Sequence, residues 1–259
     1  MSSAYLLLLF LSFARIFAML QITPLISIQG IPYSARAGLA LLTATIVVPS
    51  LYANGYIIPV NFFDFIYLLF IEIIIGLIIG FYLVIIFMLF ELMAQMFSMQ
   101  MGFAAAEMFD PLTNSESPLL GQFLNLAAFF IFMQTFGLHK LFLIGVEGSF
   151  LHLNATTLLF SPESLAQTMV KALSATFGQA LLMALPIIGI LFMLSITMGL
   201  MAKAAPQMNL LMVGFPIQIM LGLIILMMTV PALFHFFSNI LEQTWIALGQ
   251  LIMQMRAPQ

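Results

Sequence analysis

Cysteine is absent from the 259 residues, which excludes disulfides and thiolate metal sites. Charge is nearly absent as well: Asp, Glu, Lys and Arg make up 6% of the chain, against about 25% in an ordinary soluble domain. A soluble fold could not cover its surface with so few charges. The small net charge of −3 offers no basic surface for nucleic acid. A basic region ahead of the first apolar run is also missing, and Arg15 interrupts the stretch that a signal peptide would keep apolar. No cleaved signal is therefore expected, and the mature chain is expected to start near Met1. The three histidines, His139, His152 and His235, lie on different segments without metal-ligand spacing. A Gly-x-Ser-x-Gly elbow and a phosphate-cradling glycine loop are both lacking. His139, beside Lys140 and after Gly137, reads best as a capping or interfacial residue.

What the chain has in abundance is apolar length. Hydrophobic residues make up 64% of it, and uncharged runs cover 37–63, 117–138, 172–202 and 204–241. Each exceeds the roughly 18 residues that can cross a hydrocarbon layer, and the alternating ten-residue pattern of a membrane barrel is not seen. An all-α membrane protein is expected, with kinked hydrophobic helices and helical hairpins. The expected helices are 4–20, 37–53, 65 to about 90 or beyond, 119–138, 140–153, 172–202 and 208–236, followed by an amphipathic tail helix over 237–255. Connectors are expected at 21–36, 107–118 and 154–164. Assuming six spans, Lys140, Lys171 and Arg256 face Arg36 and Lys203 across the membrane, which gives no orientation by the positive-inside rule.

Several residues stand out from this background. Pro49, Pro186, Pro216 and Pro231 fall in or beside apolar segments and should kink them. Glu72, Gly76 and Gly80 share a helix face at i, i+4 and i+8. The glycines allow two backbones to approach closely, and a carboxylate within an apolar run marks function unless it lies near water at the helix end. Arg15, Arg36 and Glu72 are isolated charges in apolar helices, and at least one is expected to pair with another charge, within the chain or on a partner. Glu91, Gln95, Ser98 and Gly102 repeat at i, i+4, i+7 and i+11 and form a polar stripe. With Met96, Met99 and Gln100 they are candidates to face a lumen or a polar partner, although an interfacial helix would show the same stripe. The chain has 21 methionines, clustered at 88–101, which suits a deformable contact surface as well as an ordinary core. Two long uncharged segments meet at Lys203, Pro206, Gln207 and Asn209, and a Gly214-Phe215-Pro216 break follows. That reads as a stiff, shaped hairpin.

Two function classes survive these observations: a pore or gate subunit, and a small-solute transporter. A transporter should show related halves, and no duplication is evident between 1–130 and 131–259. An intramembrane enzyme lacks a nucleophile–base set.

The motifs together resemble the FliR/SctT family of type III secretion export-gate proteins. The likeness runs through Arg15, Pro24, Ile31-Pro32, Arg36 and Gly38, then Glu72, Gly76 and Gly80. It continues through Gln100-Met101-Gly102, Asp110-Pro111, Pro118, the 121–125 Gly-Gln-Phe-Leu-Asn run, Gly137, His139 and Ser149-Phe150. Pro206-Gln207-x-Asn209 and Gly214-Phe215-Pro216 close it. Lys203 departs from the arginine usual in the family, and lysine lacks arginine's planar hydrogen-bonding fork. Glu107 is an unusually acidic residue for its stretch.

The resemblance implies a structural, non-enzymatic subunit of the flagellar protein export gate, in the bacterial inner membrane at the flagellar basal body. A virulence-system counterpart is the alternative. It implies one copy in a helical hetero-oligomer with FliP, FliQ and FlhB, with FlhA nearby, passing unfolded substrates among membrane lipid and using no cofactor. It further implies one domain over 1–259: a FliP-like part at about 1–165, a FliQ-like hairpin at about 172–236 and the tail at 237–259. The family's pore plug would correspond to 107–118, with Glu107, Met108, Phe109, Asp110, Pro111, Asn114, Glu116 and Pro118. Loops of this length without regular structure often act as lids. Arg15, Arg36, Glu72, Gly76, Gly80 and the 203–216 residues would make structural and partner contacts.

Overall fold

The computed structural model describes residues 3–24, 31–59, 61–102, 119–153, 162–205 and 210–254. Among them every regular element is helical: α1 (Ser3–Ile22), α2 (Tyr33–Ala53), α3 (Phe62–Met101), α4 (Leu119–Gln134), α5 (Gly137–Lys140), a π-helix over Leu141–Gly148, α6 (Ser149–His152), α7 (Pro162–Ala204) and α8 (Leu210–Gln254). Five of them are long and apolar enough to cross a membrane, or six spans if 120–134 and 137–152 count as one broken span. At 1.5 Å per residue, α3, α7 and α8, with 40, 43 and 45 residues, each extend about 60 Å or more, twice the thickness of a hydrocarbon core.

Local chemistry explains several boundaries. Pro32 caps α2 in extended geometry, so this helix starts four residues before the expected 37. Asp64 sits in the first turn of α3, where a carboxylate complements the helix dipole. Nothing breaks α3 until Gly102, whose φ of +82° ends the helix in the left-handed conformation that glycine adopts without strain. The expected helix over 119–138 stops sooner, because Phe136 takes a left-handed φ of 56° and a new helix begins at Gly137.

The Gly-Phe-Pro step does not break the chain as expected: α8 runs through both Pro216 and Pro231, as α2 runs through Pro49 and α7 through Pro186. In apolar surroundings, leaving the helix would orphan many backbone groups, so one lost hydrogen bond is the smaller cost. The expected start of a tail helix near 237 lies inside α8.

The chain divides into two compact units, one of residues 1–86, 136–173 and 241–259, the other of 87–135 and 174–240. In the first, α1 packs along α2, and Leu8, Leu11, Ile16, Met19 and Leu20 are buried with Ile75 and Ile79. In the second, Phe90 and Phe237 meet edge to face at 4.2 Å between ring centroids, and Phe87 lies against Phe132 and Phe237. Such aromatic pairs contribute roughly 0.5–1.5 kcal/mol beyond area burial.

Candidate functional site

In the first unit, a polar cage forms around Arg15. Its side chain is 2% exposed and that of Glu72 is 0% exposed. The Arg15 Nε–H donates to Glu72 Oε2 in a buried ion pair. One terminal nitrogen donates to Ser149 Oγ at 3.2 Å; the other donates to the Tyr56 hydroxyl at 2.9 Å and the Leu153 carbonyl at 3.2 Å. Tyr56 in turn donates to Glu72 Oε1 at 2.6 Å. The Phe150 ring covers the guanidinium 3.9 Å from its centroid, close enough for a cation–π contribution.

The members of the cage come from four places in the chain: Arg15 from α1, Tyr56 from the stretch after α2, Glu72 from α3, and Ser149, Phe150 and the Leu153 carbonyl from α6 and the residue after it. An isolated charge here would cost several kcal/mol, so the pairing is a condition of burying either group. Burial raises the phenol of Tyr56 above its ordinary value, against the opposing pull of Arg15, so the hydroxyl stays a donor at neutral pH.

The glycines expected to admit a close neighbour do so around this cage. A Cβ on Gly76 would run into the Arg15 carbonyl oxygen, and one on Gly80 would stand 2.8 Å from the Met19 carbonyl oxygen. Arg36 takes no part in the cage. Its guanidinium donates to Gln21 at 3.0 Å and lies 5.1 Å from the Tyr33 centroid. The sequence reading singled out Arg15, Glu72, Gly76 and Gly80 but missed Tyr56 as a partner. Its only sequence signal is a tyrosine directly after the Asn54-Gly55 turn.

In the second unit the polar stripe on α3 divides. Glu91 accepts from the Asn125 amide at 2.8 Å, and a Cβ on Gly121 would meet both its oxygens at 3.4 Å. Ser98 is 3% exposed, and its hydroxyl has no hydrogen-bond partner among the described residues. Ser98 therefore does not share an open face with Gln95, which is exposed. The bare stripe is shifted round the helix to Met88, Gln95 and Met99, with Met99 72% exposed. Met96, Gln100 and Gly102 are half-buried. A side chain at Gly102 would strike the Phe215 ring at 2.7 Å, one at Gly222 would overlap Met101, and one at Gly214 would stand 3.0 Å from Met198 Sδ. Gln218 donates to Ser195 at 2.9 Å. Pro216 is exposed and Phe215 half-buried, while Lys203 is exposed in the last turn of α7, where a cation suits the helix dipole. Pro206, Gln207, Asn209 and all of 107–118 lie outside the described residues.

The profile of a family described as "Bacterial export proteins, family 1" matches residues 6–244. The flagellar biosynthetic protein FliR of Escherichia coli K12 is 28% identical, over 93% of this chain and 91% of its own length. FliR of Bacillus subtilis 168 is 29% identical over 90% of each. FliR of Borreliella burgdorferi is 31% identical over 92% of this chain and 88% of its own.

Proposed function

Because this chain belongs to the bacterial export proteins, family 1, we propose that it serves as a structural subunit of the flagellar type III protein export gate, lining part of the pore for unfolded flagellar proteins. Its flagellar relatives favour this reading over a virulence-system subunit or a solute transporter. The chain is a membrane-embedded protein, and the proposed site is the bacterial inner membrane at the flagellar basal body.

The observation that carries the assembly reading is how little of its longest helices the chain buries. Only 17% of the most apolar window of α7 and of α8 is buried, against 61% for α3. Leu182, Phe192, Met193, Met220, Met227 and Met228 are all more than half exposed. Apolar surface on this scale marks a membrane or protein interaction site, and helices twice the bilayer thickness need protein cover beyond the hydrocarbon.

The proposed neighbours are FliP, FliQ and FlhB, with FlhA near, around one copy of this chain. Residues 172–236 would pack as a FliQ-like hairpin beside a FliP-like part at about 1–165. The Arg15–Glu72 cage would hold the first unit in one shape against its neighbours. The loop 107–118 is the proposed plug, and the exposed Met88, Gln95 and Met99 stripe the deformable seal beside it. Its support is composition and position: the loop is polar, proline-bounded and follows the glycine stop at Gly102.

Two measurements test this. Native mass spectrometry of the chain co-expressed with FliP and FliQ should find one copy in a complex, and a chain that ignores both refutes the subunit role. Deleting 110–116 should raise ion leakage in cells with an assembled gate, and unchanged leakage refutes the plug.

A further inference from the structure

Helix α2 and the 137–152 segment border an open cavity of about 500 Å³. Its rim is apolar and bare: Leu42 is 62% exposed, Ile46 70%, Leu143 51% and Leu151 54%. Glu147 and His139 line the same cavity. Both are exposed, and Glu147 makes no hydrogen bond or ion pair among the described residues.

A carboxylate among bare leucine and isoleucine side chains is costly in a membrane-embedded protein unless a cation meets it. Among the described residues no lysine or arginine lines the cavity, and His139 makes no ion pair with Glu147. Arg15 is committed to Glu72. Arg36 is buried, bonded to Gln21 and close to Tyr33. Lys140, Lys171 and Lys203 do not line the cavity.

We infer that this groove seats an apolar helix from a neighbouring subunit, and that this helix carries a lysine or arginine that pairs with Glu147. The inference rests on the assembly proposed above and names one of its contact surfaces. Leu42 and Ile46 are spaced i, i+4 along α2, the ridge that a second helix packs beside. The partner's cation answers the carboxylate and fixes the register of the two helices, a use for which charged groups at apolar interfaces are well suited.

The test places a photo-reactive residue at Ile46 in the full chain, co-expressed with the gate subunits, and maps the crosslinked peptide by mass spectrometry. A crosslink to an apolar helix bearing Lys or Arg is expected. Glu147→Lys should cut its yield by about tenfold or more, and Glu at the partner's cation should restore it. Glu147→Gln carries the same test, with a smaller loss, should the reversal disturb folding. Adducts to phospholipid alone, or an unchanged yield in Glu147→Lys while native mass spectrometry still shows the chain in its complex, would overturn the seat but not the assembly. A chain that never joins the complex overturns both.

Discussion

Gly76 leaves the place of its side chain to the carbonyl oxygen of Arg15. The backbone of α3 therefore touches the backbone of α1 one turn beyond Glu72, the residue that Arg15 must reach. Close approach and ion pair are one arrangement: the glycine permits the distance at which the charges meet.

Gly76→Ala should accordingly destabilise the protein by about 1–3 kcal/mol or more, because the clash is with backbone and no rotamer relieves it. Gly38→Ala is the control. A Cβ at Gly38 meets nothing within 4 Å, so alanine in that helix should be neutral or stabilising by up to about 1 kcal/mol. Melting curves in one detergent decide this, and equal melting of the two variants would refute the contact.

Glu72→Gln leaves the Arg15 charge buried without its counter-ion, and Arg15→Met does the reverse. Each should cost about 3–5 kcal/mol. The double variant Arg15→Met with Glu72→Leu should recover much of that loss, since neither charge remains to be paired. A double-mutant cycle showing simple additivity would mean that the two residues do not act together.

Tyr56→Phe removes the donor to Glu72 Oε1 and should cost about 1–3 kcal/mol through a buried carboxylate left short of a partner. The same hydroxyl sets a pH limit. Its pKa is raised by burial, so the neutral form is the one the fold favours. The stabilisation it contributes is fully present below the ordinary tyrosine value of about 10 and is lost as pH rises through the raised one. Absorbance titration in the ultraviolet should show a tyrosine in wild type that resists ionisation near pH 10 and is missing from Tyr56→Phe. Identical titrations would count against the buried phenol.

Phe136 is 73% exposed yet holds a left-handed φ of 56°, which is unfavourable for a bulky side chain. Phe136→Gly should stabilise the isolated chain by about 1 kcal/mol by relieving that conformation. If the same variant assembles less well with the gate subunits, the ring serves a partner. A destabilised isolated chain would show that the strain is not real.

The apolar runs, the helical class and the odd charges at 15 and 72 were all legible in the sequence. Apolar length sets whether a segment can be helical in lipid, and isolated charges are conspicuous against it. The glycines at 76 and 80 were legible as an approach surface, because their spacing puts them on one face. The polar stripe on α3 was only partly legible. Spacing puts Glu91, Gln95 and Ser98 on one side of a helix, but which neighbours cover that side depends on packing, and packing buried Ser98. A break between 138 and 140 was legible beside Gly137, but its place at Phe136 was not, since no local propensity places an aromatic residue in the left-handed region.

The sequence by itself therefore determined the solvent this protein needs, its helical class and its family, because composition and motif order are properties of the chain alone. The tertiary structure decided that Arg15 and Glu72 belong together with Tyr56, Ser149 and the Leu153 carbonyl, groups up to 138 residues apart. It also decided that Glu147 is left facing a bare groove. A charge in an apolar helix announces that it needs a partner, but only the fold brings the partner within hydrogen-bonding distance.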